Sequence, residues 1–190
     1  MTHWTGVPGV ILAGGQSTRM NGIDKAEVRF DGRRMIDHVY QRMIVQTDNI
    51  IISGRSTYGL DAVMIGDEPG MQAGPAAGLY AVAAWLMEKQ PYTAFFFTVP
   101  VDGPFVPFNL LQRLQTRHGC VVARTRDGLQ PTFALWSVDQ LMGVFASGIR
   151  KGIALRELAA ECEASAVDFE DPTPFQNINT PSDLRALGKS

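Results

Sequence analysis

This 190-residue chain holds few cysteines and histidines, no marked excess of either charge and no long apolar run, and each shortage removes a class of function. Its two cysteines, Cys120 and Cys162, lie far apart in sequence and are flanked by apolar or helical residues, so buried thiols are expected rather than a disulfide or a metal pair. The three histidines, His3, His38 and His118, have no spacing that suits a metal site or a catalytic triad. No apolar run approaches the length of a membrane span, and Met1 to Gly9 lacks the charged start and apolar stretch of a signal peptide. A cytoplasmic location without a membrane partner is therefore expected. A formal net charge of −2 gives no reason to expect nucleic acid, which wants a strongly basic face. A small anionic substrate needs only a local patch. With 45% hydrophobic and 19% charged residues, and no repeat, linker or low-complexity tract, the chain reads as one soluble globular domain with a substantial core.

Two familiar phosphate loops are also missing. A P-loop needs G-x-x-x-x-G-K-[ST], but Ile23 and Asp24 separate Gly22 from Lys25, and Ala26 follows the lysine. A dinucleotide fingerprint needs G-x-G-x-x-G, which the adjacent pair Gly14-Gly15 does not supply. What stands in their place is an apolar strand, Val10-Ile11-Leu12-Ala13, running into Gly14-Gly15 and on through Arg19 to Lys25. Glycines allow close backbone approach and unusual φ values, and successive N–H groups in such a loop make an anion-binding concavity. Arg19 adds a planar fork and Lys25 a point charge. The pattern suits a nucleotide triphosphate, against the plainer alternative of a glycine turn followed by solvated basic residues.

Periodicity predicts an α/β fold with a mostly parallel sheet. Strands are expected at 7–13, 49–53, 62–65, 93–99, 120–124 and 132–136. Helices are expected at 35–46, 75–89, 107–117, 138–145 and 152–161, with a tight turn at Asp31-Gly32 in a small hairpin. Ligands in such sheets bind outside the carboxyl ends of the strands. Four loops there carry unusual residues, the glycine-rich one first. In Pro100-Val101-Asp102-Gly103-Pro104, Asp102 either shapes a proline turn or holds a hard cation such as Mg²⁺, which needs only one or two carboxylates beside waters and phosphate oxygens. The glycine-rich loop favours the cation. Gly74 and Pro75 open a helix whose first turn suits a ligand, although a plain helix start explains them too. In Asn177-Ile178-Asn179-Thr180-Pro181-Ser182-Asp183, capping accounts for Thr180 to Asp183. It leaves Asn177 and Asn179, which alternate onto one face and offer amides to a polar substrate.

Taken together, L-A-G-G-x-S-x-R-M-x-G-x-D-K, G-P-x-A-G, P-x-D-x-P-F and N-x-N-T-P-x-D-L, in this order over nearly the whole length, resemble the molybdenum cofactor guanylyltransferase family of MobA-type nucleotidyltransferases. The resemblance implies a three-layer, Rossmann-like nucleotidyltransferase fold over residues 1–190. Its nucleotide-binding half would be about residues 1–105 and its pterin-binding half about residues 106–190. It implies transfer of GMP from GTP to molybdenum-molybdopterin with release of pyrophosphate, Mg²⁺ as cofactor, and transient contact with molybdopterin-delivering proteins and molybdoenzyme chaperones. Leu12, Ala13, Gly14 and Gly15 would line the guanine and phosphate site, with Lys25 on the phosphates and Arg19 assisting. Ser53, Asp67 and Gly74 would contact nucleotide, Asp102 would contact it and ligate Mg²⁺, and Asn177 and Asn179 would face molybdopterin. Three positions depart from the family pattern: Ser53 replaces a nucleotide-contacting asparagine, Asn21 a glycine, and Val101 a cysteine. The resemblance also makes Gly14 the residue that separates guanine from cytosine selection, because relatives that act on cytosine carry alanine there. A cytidylyltransferase, a sugar-phosphate nucleotidyltransferase and a non-catalytic molybdopterin carrier are the alternatives.

Overall fold

Short apolar runs become one sheet here because alternate side chains enter cores on opposite faces. The computed structural model describes residues 6–14, 24–66, 74–148, 152–178 and 183. In β1 (Gly9–Leu12), Val10 packs into one core and Ile11 into the other. A 3-10 turn (Lys25–Glu27) follows, then the hairpin strands β2 (Arg29–Phe30) and β3 (Arg33–Arg34). The turn expected at Asp31-Gly32 is present, with both residues left-handed at φ 48° and 75°, as a two-residue hairpin turn of the primed type requires. Helix α1 (Met35–Met43) leads to β4 (Ile50–Ser53) and β5 (Val63–Ile65). Helix α2 (Pro75–Lys89) crosses to β6 (Phe95–Pro100). Then come α3 (Leu110–Leu114), β7 (Val121–Thr125), β8 (Gly128–Ser137), α4 (Val138–Ala146), α5 (Leu155–Glu161) and β9 (Ser165–Asp168).

The seven-stranded sheet has the order β5-β4-β1-β6-β8-β7-β9. Only β8 is antiparallel to its neighbours. Helices α2, α4 and α5 cover one face and α1 and α3 the other, giving three layers around two apolar cores. From β1 the chain moves outward to β4 and β5, and α2 then carries it back to β6 on the other side of β1. This reversal is a topological switch point, where open sheets of this kind hold ligands. Leu12 and Pro100 are level across it.

Several boundaries differ from the sequence reading, each for a local reason. Helix α1 stops at Met43 because residues 44–46 form a turn, and α3 is confined to five residues behind the turns that follow Pro107. Strand β8 begins at Gly128, across Pro131, because Val122 pairs with Ala134 and Ala123 with Gln130. Residues 131–133 thus bulge out of the ladder, where a proline without an N–H costs no ladder bond. Strand β9 was not expected at all. It is short, carries only Val167 buried, and exists by pairing with β7. The cysteines are free and buried as expected, yet the fold brings them together: a hydrogen bond with Cys120, and then burial, push the Cys162 thiol up.

Candidate active site

At the switch point lies a cavity of about 250 Å³. Its floor is the end of β1, where Leu12, Ala13 and Gly14 emerge. Ala13 N–H donates to the Ser53 carbonyl (2.8 Å), so β4 fixes the direction in which the chain leaves the sheet. Gly14 has no positive φ. Among the described residues, a Cβ built on it would meet only the Ser53 carbonyl oxygen, at 3.6 Å. Its value to the cavity is therefore close approach by a ligand rather than an unusual backbone angle.

The opposite wall is the end of β6. Val101 N–H donates to the Leu12 carbonyl (3.1 Å) and Gly103 N–H to the Pro100 carbonyl (3.2 Å), closing a turn with Asp102 at its crest. Gly103 is needed there by contact: a Cβ would sit 2.9 Å from the Phe133 ring and 3.2 Å from Pro100. The Asp102 carbonyl accepts from Ile178 N–H (2.7 Å), which draws the C-terminal segment over the site. Ile178 is buried while Asn177 is exposed on the cavity wall. Thr132 enters from the β8 bulge and Pro75 from the first turn of α2.

Lys25 is delivered by the 3-10 turn. Asp24 caps that turn, its Oδ1 accepting from Ala26 N–H (3.0 Å), and fully buried Ala26 anchors it. Lys25 Nζ then donates to Oδ2 of Asp102 at 2.6 Å, with both side chains partly buried. The second oxygen of Asp24 accepts from the Tyr58 hydroxyl at 2.8 Å. Burial, followed by that bond, pushes the Tyr58 phenol above its ordinary value. Behind it, Arg34 donates to the Tyr58 carbonyl (2.9 Å) and to both oxygens of Asp37 (2.9 and 2.7 Å). The Arg34 bond holds the Asp37 carboxyl below its usual range, and the same bond raises Arg34.

Of the expected residues, the fold brings Leu12, Ala13, Gly14, Lys25, Asp102 and Asn177 to one cavity. Ser53 and Gly74 do not line it. Ser53 is buried and serves through its carbonyl, while Gly74 caps α2 and leaves the lining to Pro75. Gly15, Arg19, Asn21, Asp67, Asn179 and Thr180 lie outside the described residues. Asp24, Tyr58 and Thr132 were missed as site residues. Asp24 stands beside Lys25 and looks like a helix-capping residue, Thr132 sits in an apolar strand pattern, and Tyr58 belongs to an unremarkable loop. Among the described residues no group of three or more His, Cys, Asp or Glu side chains could hold a metal. The carboxylates on the cavity lining are those of Asp102 and Asp24.

The profile of the MobA-like NTP transferase domain matches residues 9–163. A molybdenum cofactor guanylyltransferase of Vibrio cholerae is 34% identical, with 94% of this chain and 90% of that protein covered. One from Rhizobium meliloti is 36% identical, with 97% and 91% covered. Among solved structures, molybdopterin-guanine dinucleotide biosynthesis protein A of Archaeoglobus fulgidus superimposes with a TM-score of 0.72 at 21% identity, covering 96% of this chain and 97% of that one. A 2-C-methyl-D-erythritol 4-phosphate cytidylyltransferase of Thermus thermophilus gives 0.64 at 16% identity, covering 95% and 98%.

Proposed function

Because the chain belongs to the MobA-like NTP transferase family, we propose that it transfers GMP from GTP to molybdenum-molybdopterin. A phosphate oxygen of molybdopterin attacks the α-phosphorus of GTP, the bond between the α-phosphorus and the bridging oxygen breaks, and pyrophosphate leaves with the electron pair. Molybdopterin guanine dinucleotide is the other product. The attacking oxygen is already anionic, so no base is required, and positioning with charge stabilisation carries the rate. The Vibrio cholerae and Rhizobium meliloti relatives, each aligned over more than nine-tenths of this chain, are both named for guanylyl transfer.

The single observation that carries the reading is the meeting of Lys25 and Asp102 at the switch point, 2.6 Å apart. In the proposed reaction Lys25 stabilises the growing charge on pyrophosphate, Arg19 assists it, and Leu12, Ala13, Gly14 and Gly15 leave room for the base and phosphates. Asp67 contacts the nucleotide, Gly74 starts α2 so that Pro75 reaches the cavity, and Ser53 holds β1 against β4. Asn177 and Asn179 offer amides to the pterin, from the half of the chain after residue 105. Asp102 fits Mg²⁺: the position already stabilises one cation against its carboxylate, and this ion takes a single carboxylate readily when waters and phosphates complete its shell. When bound, Mg²⁺ supplies positive charge to the phosphate oxygens of the substrate. Release of pyrophosphate that requires both GTP and molybdopterin tests the reading. Nucleotide binding without release would instead mark a carrier.

A further inference from the structure

Tyr58 is the least expected residue around this site. It is neither glycine nor asparagine, yet its φ is +54°, a region that bulky side chains rarely occupy. Strain of this kind persists only where the surroundings enforce it. Here they do so from several directions. Tyr58 N–H donates to the Ser56 hydroxyl (2.9 Å), its carbonyl accepts from Arg34 (2.9 Å), and Leu60 N–H closes a turn onto the Thr57 carbonyl (2.9 Å). Arg34 is itself fixed by both oxygens of Asp37 and reaches Glu27 at 3.3 Å. Glu27 ends the same 3-10 turn that carries Lys25. The left-handed backbone directs the phenol to Asp24, which it meets at 2.8 Å. The Asp24 carboxylate is thereby divided, one oxygen to Ala26 N–H and one to Tyr58.

We propose that Tyr58 is a positioning residue for nucleotidyl transfer: by holding Asp24 from behind the cavity it fixes the turn that aims Lys25 at Asp102. This rests on the transfer reaction proposed above. The loop between β4 and β5 acts as a strut. It reaches the phosphate site from outside, so it orders Lys25 without occupying the space a nucleotide needs. An ordinary packing role would require only the ring, which sits against the core beneath α1. The strut requires the hydroxyl.

Tyr58→Phe separates the two, because it keeps the ring and removes the hydroxyl. The variant is expected to unfold within about 2 °C of the unaltered protein, since one exposed-side hydrogen bond is lost. Its kcat/KM for GTP is expected to fall about tenfold, because small displacements of a charge-stabilising group are costly. The same substitution made in Lys25→Ala is expected to change nothing further, since it acts through the lysine. A crystal structure of Tyr58→Phe is expected to show Nζ of Lys25 displaced from the 2.6 Å contact. Unchanged turnover in Tyr58→Phe, or equal losses with and without Lys25, overturns the proposal. So does a crystal structure in which the contact is intact. If the unaltered protein transfers nothing, the transfer reading fails by itself, and the crystal structure still decides whether Tyr58 positions Lys25.

Discussion

Lys25 and Asp102, 77 residues apart in the chain, form a direct ion pair at the junction of β1 and β6. The two side chains hold each other before any substrate arrives. The pair is partly open to solvent, with side-chain exposures of 21% and 16%, so its contribution to stability is modest, about 1 kcal/mol or less. Lys25→Ala and Asp102→Ala are therefore expected to remain folded by circular dichroism and to melt close to the unaltered protein. Their pyrophosphate release is expected to fall by at least about 100-fold, the scale of losing one preorganised charge-stabilising group. Full activity in purified Asp102→Ala would remove it from the reaction.

Gly14→Ala isolates base selection from folding. Among the described residues the added methyl meets only the Ser53 carbonyl oxygen, at an ordinary 3.6 Å, and no positive φ opposes it. Normal folding is expected. The methyl points a Cβ into ligand space at the end of β1, so kcat/KM for GTP is expected to drop roughly 10- to 100-fold, the range for one methylene of pocket shape. CTP should lose less. Parallel kinetics with the two nucleotides check this.

Gly103→Ala should do the opposite and damage the fold first. Its Cβ would press on the Phe133 ring at 2.9 Å and on Pro100 at 3.2 Å, and Phe133 is fully buried against Phe175. Overpacking of this kind costs about 1–3 kcal/mol. A lowered midpoint in urea, with an unchanged slope, is the expected result.

Acid should weaken the Arg34–Asp37 anchor in a defined window. The Arg34 hydrogen bond lowers the Asp37 carboxyl below its ordinary 3.8, against the opposing effect of burial. The unfolded chain then takes up the proton first, so the contribution to stability is complete above about pH 5 and is lost as pH falls through the lower, folded value. Asp37→Asn is expected to be about 1 kcal/mol less stable than the unaltered protein at pH 7. The gap should close as pH drops below 3.8. Denaturant titrations of both proteins at pH 7, 5 and 3 measure it.

Much of this architecture is legible in the residues, and the exceptions have physical causes. Helix α2 runs from Pro75 to Lys89 as its spacing predicts, because glycine and proline mark its start and its apolar residues continue unbroken. Lys25 and Asp102 can be assigned to one site because both follow strands, and ligands gather at strand ends. Strand β9 cannot be read locally, since its conformation comes from pairing with β7, some 44 residues earlier between Arg124 and Asp168. Thr132 is hidden for a similar reason: only the change of register between β7 and β8 turns it out of the ladder and into the cavity. Tyr58 has no local signature because its role depends on Arg34 and Asp24, both distant in sequence.

The most direct test offers GTP and CTP together to the purified protein with Mg²⁺ and molybdenum-loaded molybdopterin, and identifies the product by mass. Molybdopterin guanine dinucleotide, formed with one pyrophosphate per turnover, is the predicted result. A cytosine dinucleotide, or no dinucleotide from either nucleotide, would contradict it.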